Sequence, residues 1–323
     1  MADVVCTGDL LIDFVPTLTG TGLTDAPAFA KAPGGAAANV AVGLARLGVS
    51  SAFMGKVGDD PFGRFLAATL EAEGIDTTPL RFEPRARTAL AFVSLRSDGE
   101  REFMFYRHPS ADMLFTPEEV DTGAIDAARA LHFDSISLAA ENPRASSLHA
   151  AEHARSRGKL VTFDVNLRLP LWPSPEAAAE GIRTGLSKAH ICKISDDELD
   201  FLTGQRDAQA FRQHLWHPGL KLAAISRGAH GSTILTSTLT LEVPTRRVRA
   251  VDTTGAGDAF MAGLLKGLLA SSDLDATLND QPALTRLTTL ANATGALTTM
   301  QRGAIPALPT QEQVETFLSE NGS

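Results

Sequence analysis

Cysteine is nearly missing from the chain, with two thiols in 323 residues. Cys6 and Cys192 lie far apart and without metal-ligand spacing. This excludes a disulfide scaffold and suits a reducing compartment, so a cytoplasmic protein is expected. Positive charge is also short: 29 lysines and arginines face 38 aspartates and glutamates, a net charge of −9. With no basic stripe, neither nucleic acid nor an anionic membrane is expected as the main partner. Every apolar run is broken by Asp, Arg or Gly well within ~18 residues, so no spanning helix is expected. Met1-Ala2-Asp3 has no basic flank and does not read as a signal peptide. His108, His132, His153 and His230 show no metal-binding spacing. Neither G-x-x-x-x-G-K-S/T nor G-x-G-x-x-G occurs, which removes two common nucleotide-binding loops.

What remains is ordinary globular material, 44% apolar and 21% charged. At roughly 150 residues per domain, the length suits two domains or one large α/β unit. Short β-branched runs alternate with Ala-rich helical stretches. Strands are expected at 4–6, 51–57, 130–137, 159–165, 191–194 and 221–226, with β-rich chain on to 249. Helices are expected at 36–47, 61–74, up to 157, 175–189, from about 255, and at 282–300. Asp60 can cap the second of these, with Pro61 at its first position. The alternation predicts a mostly parallel sheet with helices on both faces, in one domain over 1–323.

Two segments, about 10–33 and 88–110, break the pattern. Strand-like runs at 88–96 and 102–107 flank Ser97-Asp98-Gly99-Glu100, a hairpin signal. With 10–16 and the extended 24–33 they predict a small antiparallel sheet inserted as a lid. Both faces of the hairpin carry apolar groups: Ala89, Ala91, Val93 and Leu95 with Phe103, Phe105 and Arg107, against Leu90 and Phe92 with Met104 and Tyr106. One face can meet a ligand. The other needs cover, from a second subunit in a homodimer or from a loop such as 17–33.

The run Val251-Asp252-Thr253-Thr254-Gly255-Ala256-Gly257-Asp258-Ala259-Phe260 leads into an apolar helix. Small residues let backbone approach a ligand, and the helix start offers unsatisfied N–H groups, together an anion hole. Asp258 falls in the first turn, where the dipole is expected to keep its carboxylate ionised. So weak a base suits phosphoryl transfer, in which the hydroxyl proton leaves late. An ordinary capped helix fits the same spacing. Ser226-Arg227-Gly228-Ala229-His230-Gly231 follows a strand and can cradle a phosphate, or be a common turn. Pro33-Gly34-Gly35 opens the helix holding Asn39, where glycine admits a polyol to the backbone or serves packing alone. Asp13 follows Leu10-Leu11-Ile12, and Asp164, Asn166 and Arg168 close another strand on its ligand-facing end.

Together these segments resemble the PfkB-type, or ribokinase-like, carbohydrate kinases over nearly the whole chain. The first family signature matches Gly34-Gly35-Ala36-Ala37-Ala38-Asn39-Val40-Ala41 through Leu47-Gly48 to Gly58-Asp59-Asp60 and Gly63. The second matches Asp252 through Asp258. Residues 99–113 and Gly303-Ala304-Ile305-Pro306-Ala307-Leu308-Pro309 look like those of fructokinases in particular. The resemblance implies an α/β fold of the ribokinase-like type, a three-layer α/β/α sheet with a small inserted β-sheet lid. It implies Asp258 as catalytic base over an anion hole of Gly255, Ala256 and Gly257. Asp13, Gly34, Gly35, Asn39, Arg107 and Arg168 would meet the sugar or transferred phosphate. Lys193, Ser195, Ser226, Gly228, Gly231 and Asn292 would meet the nucleotide. Glu198 would order Mg²⁺ through water. Asp252 and Thr254, with backbone oxygens near Thr298 and Gly303, would hold a monovalent cation, K⁺. One departure stands out: many members have Asn-x-x-Glu where this chain has Ser195-Asp196-Asp197-Glu198. That removes the Asn contact and puts Ser195 in doubt as a nucleotide ligand.

The expected activity is ATP- and Mg²⁺-dependent phosphorylation of a free ketohexose, D-fructose at the 6-hydroxyl. One rival is a 2-keto-3-deoxygluconate kinase, with Arg107 or Arg168 pairing the substrate carboxylate. A non-catalytic sugar-binding protein on the kinase fold is the rival of another class.

Overall fold

The structure is a computed structural model that describes residues 1–18, 20–95 and 101–320, side chains excepted at 95 and 101–103. Its strands are β1 (Val4–Thr7), β2 (Leu11–Pro16), β3 (Phe29–Gly34), β4 (Ser51–Gly58), β5 (Leu80–Glu83), β6 (Leu90–Leu95), β7 (Arg101–Tyr106), β8 (Ala130–Asp134), β9 (Leu160–Asp164), β10 (Ile191–Ser195), β11 (Leu222–Ser226), β12 (Ser232–Thr236) and β13 (Thr240–Val243). Nine form one sheet in the order β13-β12-β11-β10-β9-β8-β1-β4-β5. Its pairs are parallel except β11–β12 and β12–β13.

The period of two in β1 divides the core. Val4 and Cys6 pack in one apolar cluster and Val5 in the other, each fully buried. Helices Ala36–Arg46, Ala256–Leu269 and Gln281–Thr298 cover the first face. Glu141–Ser156, Pro175–Leu186 and Asp196–Thr203 cover the second. Burial on both faces, at about 1.5–3 kcal/mol per large side chain, explains why these strands read as continuous apolar runs. The result is the expected three-layer α/β/α arrangement, one large sheet between two layers of helices.

The remaining strands make a second sheet, β3-β2-β6-β7. Asp13 pairs with Ala32 and with Ala91, and Ala91 with Phe105, which sets these side chains on one face. Phe14, Phe92 and Met104 share the other. There Phe92 stacks on Phe14 at 5.0 Å and meets Phe29 and Tyr106 edge-on, and Phe62 meets Phe14. So β3 does cover part of the outer face from within the chain, while Met104 and Tyr106 stay exposed. The hairpin turn expected at 97–100 lies outside the described residues, as does the side chain of Phe103.

Local chemistry shifts several boundaries. Strand β8 stops at Asp134 instead of 137, because Asp134 Oδ1 accepts from the Ile136 N–H and turns the chain into a short 3-10 segment. The β-rich stretch ends at Val243, where Pro244 has no N–H for a ladder. Helix Asp196–Thr203 is an addition to the expected elements. Asp60 caps its helix as expected, its side chain accepting from Phe62 and Gly63 N–H groups.

Candidate active site

Gly255 caps the helix Ala256–Leu269 in the left-handed conformation, φ 77°, which favours glycine. Asp258 follows in the first turn and is buried. Across from it, helix Ala36–Arg46 packs closely; a Cβ on Gly43 would sit 2.8 Å from Ala262 Cβ. That contact brings Asn39 to the carboxylate, and its Nδ2 donates to Asp258 Oδ2 at 2.7 Å. Dehydration pushes the Asp258 carboxyl above its ordinary range, opposed by the Asn39 hydrogen bond and by Lys193 and Arg168. The helix dipole was expected to hold this group as an ordinary weak base. Burial outweighs the dipole and makes it a stronger one.

A cavity between the lid and the main sheet takes in Asp13, Gly35, Asn39, Arg168, Gly255 and Asp258. Val15, Val93 and Phe105 roof it from the lid. Asp13 leans over Gly34, where any Cβ would stand 2.2 Å from its Oδ2. Burial lifts the Asp13 carboxyl to about 7, helped by Asp9 and Asp258 and resisted by Arg168. Carboxylates, an amide and an arginine under an apolar roof are the groups that bind a neutral polyol. Arg107 lies elsewhere. Its guanidinium is buried behind Asp9, paired with Asp112, and lines a separate small cavity.

Lys193 ends beside the helix start. Its Nζ bonds both Asp164 oxygens at 3.0 Å, and a Cβ on Gly257 would lie 2.7 Å from that Nζ. Ser195 and Glu198 form a capping box for helix Asp196–Thr203, and Glu198 Oε1 also accepts from the Leu167 N–H at 2.8 Å. Both carboxylate oxygens thus hold backbone, leaving lone pairs that suit a metal-bound water. Ser226 ends β11, and Gly228 and Gly231 take φ 50° and 87° in the turn that follows. A Cβ on Gly231 would collide with Val243 O at 2.2 Å. Beside this turn, Asn292 donates to Val243 O and accepts from Ser232 Oγ, bracing β12 and β13.

Asp252 ties two loops together. Its Oδ1 accepts from Thr254 N–H and hydroxyl, and its Oδ2 from Gly303 N–H at 2.9 Å. Thr298 closes the neighbouring helix with its hydroxyl on Thr294 O. The described residues include no group of three or more metal-binding His, Cys, Asp or Glu side chains. Sequence reasoning missed Asp9, which shares the cavity with Asp13. Its place just past the C-terminal end of β1 was the available signal.

Comparison with known proteins bears on this arrangement. The family description "pfkB family carbohydrate kinase" matches residues 1–311. A probable fructokinase-7 of Arabidopsis thaliana is 52% identical over 323 residues, covering 99% of this chain and 93% of that protein. The crystal structure of fructokinase from Xylella fastidiosa with bound ATP superposes with a TM-score of 0.92 at 35% identity, covering all of both chains. A double mutant of fructokinase from Vibrio cholerae O395, in fructose-, ADP- and potassium-ion-bound form, has a TM-score of 0.85 at 36% identity over 98% of each chain.

Proposed function

The chain belongs to the pfkB family of carbohydrate kinases, and from that premise we propose that it converts D-fructose to fructose 6-phosphate with ATP. The carrying observation is one cavity that joins Asp258, its Asn39 partner and the Gly255 helix start to the polyol-binding groups Asp13 and Arg168. Bound ATP supplies the phosphoryl group. Asp258 takes the proton of the 6-hydroxyl, and Asn39 holds one of its oxygens so that the carboxylate keeps its aim. The N–H groups at 255–257 and the Lys193 ammonium beside Gly257 offset the charge that builds on the transferring group. Intact chemistry at this point argues against a merely sugar-binding protein.

Arg107 is not available to pair the carboxylate of a sugar acid, since its charge already serves Asp112 and Asp9, and the likeness to fructokinases at about half identity supports fructose as the sugar. Mg²⁺ would be ordered through water by Glu198, and K⁺ would sit by Asp252 and Thr254. The fructose, ADP and potassium held by the Vibrio cholerae relative support both the sugar and the ion. Exposed Met104 and Tyr106 on the lid support a homodimer. No helix among the described residues is long and apolar enough to cross a membrane, and the two buried free thiols support a cytoplasmic protein. A panel of fructose, ribose, glucose, tagatose and ketodeoxygluconate with ATP tests the sugar. Fructose is expected to give the highest kcat/KM, and preference for ketodeoxygluconate would overturn the assignment.

A further inference from the structure

Asp9 stands between two spaces. On one side it lines the sugar cavity with Asp13, Asn39 and Asp258. On the other it lines the small cavity that holds Arg107 and Asp112. Its residue is only 3% exposed. The Ala36 N–H, at the start of the helix that carries Asn39, lies toward its carboxylate and favours the ionised form. Its Oδ1 has no hydrogen-bond partner among the described residues. A buried oxygen left so forfeits its hydration with nothing in return, unless a ligand completes it.

The charge around it has a direction. Arg107 faces the carboxyls of Asp9, Asp112 and Asp134 and makes its direct contact with Asp112. Asp9 thus receives the field of Arg107 from behind without being consumed by it. An acceptor held in that way, beside a polyol cavity, is suited to a hydroxyl donor. Space agrees: a Cβ on Gly35 would lie 2.3 Å from the Asp9 carbonyl oxygen, so the backbone at 9 is pressed against the start of the Asn39 helix.

We propose that Asp9 is a sugar-binding residue, whose Oδ1 accepts a hydrogen bond from a fructose hydroxyl other than the 6-hydroxyl, and that Arg107, fixed by Asp112, positions it from behind. This rests on the fructose kinase reading. It gives Arg107 an indirect role in sugar selection and makes Asp9 a specificity residue.

The test compares the parent protein with Asp9→Ala on fructose and on 1-, 3- and 4-deoxyfructose. In the parent, one deoxy sugar is expected to lose about tenfold or more in kcat/KM. In Asp9→Ala, fructose should fall to that level through KM, and the same deoxy sugar should suffer no further loss. Should the alanine variant fail to fold, the isosteric Asp9→Asn replaces it, with the penalty for that one sugar reduced and the penalties for the others unchanged. Equal penalties in parent and variant for every deoxy sugar would overturn the assignment and return Asp9 to an internal role. A parent inactive on fructose would overturn the kinase reading itself, a distinguishable failure.

Discussion

Asn39 Nδ2 and Asp258 Oδ2 meet at 2.7 Å although the residues are 219 apart in sequence. Each sits near the start of a helix that a left-handed or strained glycine opens, Gly35 at φ 112° and Gly255 at φ 77°. The bond favours the ionised carboxylate and works against the burial that raises its pKa. Asn39→Leu should therefore raise that pKa further, moving the acid limb of the kcat profile to higher pH. At neutral pH kcat should fall about tenfold, the worth of one charge-assisted hydrogen bond. A profile that keeps its position would separate Asn39 from the base.

Asp13 gives the empty protein a proton to lose. Its carboxyl titrates at about 7, and sugar hydroxyls donate to the ionised form. Fructose binding should thus release a proton between about pH 5 and 7, and affinity should tighten as pH rises through that window and level off above it. Without sugar the sign reverses: the native state holds this proton where the unfolded chain has lost it, so stability falls as pH rises from about 4 to 7. Calorimetry in two buffers of different ionisation enthalpy measures the release. An affinity flat across this range would contradict it.

Potassium should raise activity. Asp252 already gathers the Thr254 and Gly303 N–H groups beside the helix start, and a cation among the backbone oxygens there would strengthen the positive field. Rates in potassium and in a bulky organic cation at equal ionic strength compare the two cases. Equal rates would count against the site.

The lid edge should join two copies of the chain. Phe14, Phe29, Phe62 and Phe92 cover one another, yet Met104 and Tyr106 are 42% and 57% exposed on the same face. Sedimentation at micromolar protein should show a dimer, which Met104→Glu dissociates. A monomer unchanged by sugar and nucleotide would remove the claim.

Some of this could be read from the sequence and some could not. Helix Ala36–Arg46, the Asp60–Pro61 start and β1 were legible because caps and periodicity are local. Ser195-Asp196-Asp197-Glu198 was read for its ligand chemistry, so the plainer capping box S-x-x-E and the helix it starts went unseen. Arg107 was placed at the sugar by its strand. Its burial against Asp112 depends on how the lid meets the core, which no local pattern encodes. The same holds for Asp258: the helix dipole is visible in sequence, whereas the dehydration that outweighs it is a property of the closed fold.

The most direct test is Asp258→Asn, with turnover and fructose binding measured on the same preparation. The substitution keeps the shape and removes the base from the start of the helix. Turnover of fructose to fructose 6-phosphate should fall by about 10²–10⁴-fold or more while the fructose dissociation constant stays within a few-fold of the parent. Near-normal turnover would contradict the assignment of Asp258 as the base.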